Sequence, residues 1–240
     1  MYISGIHSVL EQLKKQPNSI KKVFFLENKK NQQIEVLAQK NSIVIEYISV
    51  KKINTLSMTS AHQGVVALIK NIITRGEKEL FSFIENKKNI FIATLENIQD
   101  PRNLGACFRS CYGADVDCVI LTKNNTAPLN DLVYKTSVGA MSHLNIFQVS
   151  NLARVLKQLK NKGIWLIGLD GYAVENIYQN TMTASINIVV GSEGNGLKKQ
   201  TKEICDELLS IPINPKLESL NVSVATAITL FEVRRQRLVK

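Results

Sequence analysis

The chain has 240 residues, 45% of them hydrophobic, which excludes general disorder and supplies a core for one large domain or two small ones. Thirty Lys and Arg against 20 Asp and Glu give a formal net charge of +10, pointing to a polyanionic partner. The excess is uneven: residues 1–88 carry 14 basic and 7 acidic side chains, net +7, whereas residues 89–240 carry 16 and 13, net +3.

Residues 1–16 read as a short helix, because Ile6, Val9, Leu10 and Leu13 recur at helical spacing. Strand-like runs follow at 22–26, 42–50 and 64–69, with a polar helix over 32–40 between the first two. This is a small α/β unit with lysines on its surface, expected to occupy residues 1–75. Residues 76–88 are polar and read as a linker in which Leu80, Phe81, Phe83 and Ile84 add a helical turn.

From residue 89 strands and helices alternate regularly. A buried-strand run over 90–95 leads to Asp100-Pro101, an N-cap followed by proline at the first helical position. Leu104, Cys107, Phe108 and Cys111 then line one helical face, and Gly113 closes it. Further strands are expected at 118–121, 144–149, 164–169, 187–190 and 208–213. Helices are expected at 131–141, at 198–205 and from Asn151, as cap, to Gly163. A last helix over 222–238 is apolar nearly all round as far as Phe231, which suits a buried element or a subunit interface. Such alternation predicts a mostly parallel sheet covered on both faces over residues 89–240.

Four cysteines form no Cys-x-x-Cys pair and have no histidine at ligand spacing, so no metal site is expected. No apolar run approaches membrane-spanning length and the N-terminus lacks a signal-peptide pattern; a cytoplasmic protein with no membrane partner is expected.

Three stretches break the bland pattern, all at loops between strand ends and helix starts, where open α/β sheets bind ligands. The first runs from Asn97 through Asn103 to Arg109. The second is an apolar strand ending in Gly191-Ser192-Glu193-Gly194-Asn195-Gly196-Leu197, three glycines and one acid where a plain turn needs none. Its spacing fits neither a dinucleotide fingerprint nor a P-loop, which removes a nucleotide-binding oxidoreductase from consideration. The third is Ile211-Pro212-Ile213, followed by Ser219-Leu220-Asn221-Val222-Ser223. Taken singly, Asn103, Ser219 and Asn221 could cap helices, and Arg109 could form a surface ion pair.

Together, Asn-Leu-Gly-Ala-Cys-Phe-Arg at 103–109, Gly-Ser-Glu-Gly-Asn-Gly-Leu at 191–197 and Ser-Leu-Asn-Val-Ser-Val-Ala at 219–225 resemble the three motifs of the SpoU (TrmH) ribose 2′-O-methyltransferases, of the SPOUT superfamily. Ser4-Gly5-Ile6-His7-Ser8-Val9 and His62-Gln63-Gly64-Val65-Val66-Ala67 also resemble the small L30e-like RNA-binding domain that precedes the methyltransferase in one branch. The resemblance implies a SPOUT α/β knot, a deep trefoil, over residues 89–240, with S-adenosylmethionine bound in the knot of a homodimer. It implies that Arg109 activates the ribose hydroxyl, and that Asn103, Glu193, Ser219 and Asn221 orient Arg109, ribose and phosphate. Backbone around Gly191, Ile211 and Leu220 would hold the cofactor, and no metal would be needed. The most similar branch methylates a guanosine in the peptidyl-transferase region of 23S ribosomal RNA; a tRNA ribose methyltransferase is the alternative.

Overall fold

The computed structural model describes residues 2–57, 62–70 and 74–239, in two compact units. Residues 71–73, at the end of the first expected domain, lie outside that description. The first unit comprises residues 1–72 and 129–139, the second residues 73–128 and 140–240.

In the first unit β1 (Tyr2–Ser4) precedes α1 (Ile6–Lys15), so the expected helix begins five residues late. A three-residue strand is too short to show a period, and pairing with a neighbour decides its state. The elements β2 (Ile20–Leu26), α2 (Gln32–Lys40), β3 (Val44–Ile48), α3 (Val50–Ser57) and β4 (Val65–Ile69) follow. The strand expected over 42–50 is therefore shorter, and the chain turns into a helix at Val50 with Ile53 as its buried anchor. The four strands lie in the order β1-β4-β2-β3, with only β2 and β3 parallel. Phe24, Ile48, Ile53 and Val66 form the core on one face.

The second unit begins with α4 (Glu77–Ile84) inside residues 76–88, and Leu80 and Ile84 are buried in its core. Next come β5 (Phe91–Leu95), α5 (Pro101–Gly113) and β6 (Cys118–Thr122). Helix α6 (Asp131–Thr136) belongs to the first unit, where the buried Tyr134 hydroxyl donates to Gln12 Oε1. The helix expected over 131–141 breaks at Val138 and Gly139, whose φ values of 52° and 78° are left-handed. The chain continues through β7 (Ile146–Val149), α7 (Leu152–Asn161), β8 (Trp165–Leu169), β9 (Ile186–Val190), α8 (Lys199–Ile204), β10 (Glu207–Leu209) and α9 (Val222–Leu238).

The six strands β10-β8-β9-β5-β6-β7 are all parallel. Every residue of β5, β6 and β9 is buried, as expected of strands covered on both faces. One core holds Ile92, Phe147, Leu156, Leu166 and Ile204, with α4, α7 and α8 over the sheet. At Gly168 a Cβ would come within 2.8 Å of Leu197 and Leu208 side chains, so β8 needs a hydrogen there for close packing. All three cysteines of the inner strands and α5 are buried, and burial pushes the Cys107 thiol up to about 11, inert packing groups rather than nucleophiles.

Candidate active site

The three sequence motifs converge at the carboxyl ends of β5, β9 and β10. After β5, Glu96 N–H donates to Val190 O at 2.8 Å and holds the two strand exits together. Asn97 takes a left-handed φ of 56°, and its N–H donates to Thr122 Oγ1 at 3.1 Å. A short polar side chain is among the few that tolerate this conformation. Asp100 Oδ1 then accepts the Arg102 N–H at 2.6 Å and Pro101 opens α5. The turn and cap together aim Asn103, in the first helical turn, at the glycine loop.

That loop is closed on itself. Ser192 and Gly196 exchange backbone hydrogen bonds of 3.1 and 2.9 Å. A Cβ on Gly191 would lie 2.1 Å from the Gly196 carbonyl carbon and 2.2 Å from Leu197 N. Gly191 thus packs directly against the loop's own backbone, and the turn cannot form around a side chain there.

Asn221 does two things at the start of α9. Its Oδ1 accepts the Ser223 N–H at 2.9 Å and the Ser223 hydroxyl at 2.7 Å, an N-cap. Its Nδ2 donates to Asn103 Oδ1 and to Glu193 Oε1, both at 3.1 Å, while Asn103 Nδ2 donates to Glu193 Oε2 at 2.6 Å. One residue from each motif thereby joins a closed triangle in which two amides fix both oxygens of one exposed carboxyl group.

Beside the triangle lies a cavity of about 330 Å³, in the range of small-molecule sites. Gly191, Ile211 and Leu220 all line it, as do Glu193 and Ser219. Leu169, Val190, Leu209 and Val222 supply an apolar wall, and the glycine loop supplies backbone polar groups. Such a lining fits an amphipathic ligand with a flat heterocycle and a charged end, as S-adenosylmethionine has. A second pocket, lined by Asn97, Asn103, Glu193 and Asn195, adjoins it across Glu193.

Arg109 stands apart. It is exposed on α5 and lines neither pocket. Its side chain makes no hydrogen bond or ion pair with any described residue. Six residues beyond Asn103, it sits about 9 Å along the helix axis and roughly 120° around it.

Sequence reasoning missed an ion pair at the cavity wall, Lys202 Nζ to Asp170 Oδ2 at 2.7 Å. Burial raises the Asp170 carboxyl, but hydrogen bonds from Lys202 and the Tyr172 N–H, with the lysine charge, outweigh it and hold the group below its usual value. An acid directly after a buried strand was the available signal. Lys202, one of several lysines in its stretch, offered none.

Residues 90–231 match the SpoU rRNA Methylase family, and residues 2–73 match the RNA 2′-O ribose methyltransferase substrate-binding family. The chain is 37% identical over 238 residues to the 23S rRNA (guanosine-2′-O-)-methyltransferase RlmB of Pectobacterium atrosepticum, covering 98% of each chain. Its fold matches the crystal structure of the SpoU methyltransferase AviRb from Streptomyces viridochromogenes in complex with AdoMet, with a TM-score of 0.82 at 18% identity over 100% of this chain and 91% of that one. The A. aeolicus TrmH/SpoU tRNA modifying enzyme gives a TM-score of 0.58 at 28% identity, covering 68% of this chain and 83% of that one.

Proposed function

The chain belongs to the SpoU rRNA methylase family, and from that premise we propose that it transfers the methyl group of S-adenosylmethionine to the 2′-hydroxyl of a guanosine in 23S ribosomal RNA. The observation that carries the reading is the Asn103–Glu193–Asn221 triangle at the mouth of an amphipathic cavity. Likeness to RlmB along 98% of the chain favours ribosomal RNA as substrate. The tRNA-modifying neighbour leaves about a third of this chain unmatched, so a tRNA substrate finds less support.

When bound, S-adenosylmethionine supplies an electrophilic methyl group. The chain's own task is to bring a weakly acidic ribose hydroxyl to it and to stabilise the charge that develops on oxygen. Glu193, fixed by two amides, presents an oriented acceptor beside the cavity, and Ser219 offers a hydroxyl at its edge. Backbone of Gly191, Ile211 and Leu220, which lines the cavity, would hold the cofactor. Arg109 is assigned to electrostatic activation of the hydroxyl, with an RNA phosphate as its second partner.

Its distance from the triangle within one chain is accounted for by a homodimer in which Arg109 serves a site assembled with a second copy. Tyr112 on α5 and Val224 and Phe231 on α9, each about half exposed, supply an apolar surface for that association. Residues 1–75 act as the RNA-docking domain, in keeping with their net positive charge and their family match. No helix among the described residues is long and apolar enough to cross a membrane, and a cytoplasmic setting suits a ribosomal RNA substrate. Incubation with labelled S-adenosylmethionine and either isolated 23S rRNA or bulk tRNA, followed by mapping of the modified ribose, tests the proposal. Label confined to a 23S guanosine is expected; label on tRNA alone would overturn it.

A further inference from the structure

Glu96 is a carboxyl group only 2% exposed, placed directly after β5, and no motif includes it. A buried acid is costly unless its oxygens find donors. Here both do: Oε2 accepts the Lys198 N–H at 3.2 Å and Oε1 accepts the Thr201 hydroxyl at 2.9 Å. Its own N–H donates to Val190 O at 2.8 Å. Val190 and Lys198 are the residues on either side of the loop 191–197, so one residue holds both ends of that loop. The tip is held from the same segment, because Asn103, seven residues on, binds Glu193 at 2.6 Å.

We infer that Glu96 is a positioning residue, which sets the glycine loop so that Glu193 meets Asn103 and Asn221 and the cavity wall keeps its shape. The inference rests on the proposed reading of that loop as cofactor wall and carrier of Glu193. Without the carboxyl group, Lys198 N–H and the Thr201 hydroxyl lose their acceptor and the C-terminal end of the loop is released, while the backbone bond to Val190, the Ser192–Gly196 bridge and the amide donations to Glu193 remain.

The test compares Glu96→Leu with Glu96→Gln and with Asp206→Leu as a structural control. Asp206 is a less deeply buried acid, also placed beside a strand, accepting the Leu166 N–H at 2.8 Å and pairing with Lys160, but it lines no part of the cavity. Hydrogen exchange at Ser192 and Gly196 reads the loop without cofactor, calorimetry reads cofactor affinity, and methyl incorporation reads kcat. Glu96→Leu should speed exchange at both amides and worsen cofactor Kd and kcat by about tenfold each, the scale of one missing hydrogen bond to a charged group. Glu96→Gln can accept from Lys198 and donate to Thr201, and should recover to within about threefold of wild type. Asp206→Leu should lower the Tm yet leave loop exchange, Kd and kcat near wild type.

Unchanged exchange in Glu96→Leu, or effects on Kd and kcat no larger than those of Asp206→Leu, overturns the inference. Faster exchange in Glu96→Leu, together with a wild-type protein that binds no S-adenosylmethionine, upholds the anchor and overturns the functional reading instead. Should Glu96→Leu fail to fold, Thr201→Val removes a single anchor, and unchanged exchange at Ser192 would be equally fatal.

Discussion

Asn221 serves as helix cap and as site residue through different atoms, which allows the two duties to be separated. Oδ1 caps α9, whereas Nδ2 makes both donations to Asn103 and Glu193. Serine caps a helix about as well as asparagine but has no amide to donate. Asn221→Ser should therefore keep the cap and lose the triangle, and Asn221→Ala should lose both. Loss of a cap costs about 1 kcal/mol, which for a chain of this size lowers the Tm by roughly 2–4 °C in the alanine variant. Loss of a donation to a charged acceptor costs about 1.5–3 kcal/mol, or roughly 10- to 150-fold in kcat/KM if the bond acts in the transition state. Both variants should show that loss, and the serine variant should melt with the wild type. Methyl incorporation into 23S rRNA at saturating cofactor, with melting followed by circular dichroism, gives the two readouts. A serine variant with wild-type turnover would refute a catalytic part for the triangle, and one that is inactive but melts like the alanine variant would refute the separation.

Arg109→Ala should lower methylation by about a hundredfold or more, as removal of a charge-stabilising group does, while calorimetry shows cofactor affinity intact; wild-type turnover would remove Arg109 from the mechanism. Gly191→Ala places a Cβ 2.1 Å from backbone that cannot swing aside, so cofactor affinity should fall by at least about tenfold, and an undiminished affinity would refute the assignment of that loop. Lys21, Lys29 and Lys30 make no ion pair among the described residues, and replacing all three by glutamine should flatten the salt dependence of RNA binding by about one unit of slope for each phosphate no longer neutralised. An unaltered slope would make those lysines a solvated face only.

What the sequence disclosed followed from how local each signal is. Asp100-Pro101 and Asn151 announced helix starts because a cap is read within four residues, and both side chains accept the expected N–H. Fully buried strands such as β5 and β9 stood out as unbroken apolar runs. Strand β1 and helix α3 did not, since the first owes its state to pairing with β4 and the second to packing through Ile53. At the site, Asn103, Glu193 and Asn221 were legible only as parts of three motifs; their mutual bonds span 90, 118 and 28 residues and belong to tertiary structure. Gly191 was legible as part of the glycine loop, but its packing against the Gly196 and Leu197 backbone was not. Glu96 carried a readable mark, an acid ending an apolar run, but its partners lie 102 and 105 residues away.

The strand order has a consequence in time as well as in space. Strands β6 and β7 lie on one side of β5 and follow it closely in the chain, so that side can be paired early. The other side waits for β9, which begins at Ile186 although β5 ends at Leu95. At the usual pace of synthesis, about 5–20 residues per second, the open side of an almost wholly apolar strand waits several seconds for its partner. The seam between β5 and β9 is thus a late joint at the middle of the sheet, and it is the joint that carries the bond from Glu96 to Val190. Any nascent chain stalled short of residue 186 would present that edge to its neighbours, so crowding during synthesis threatens this protein at the same seam on which its chemistry depends.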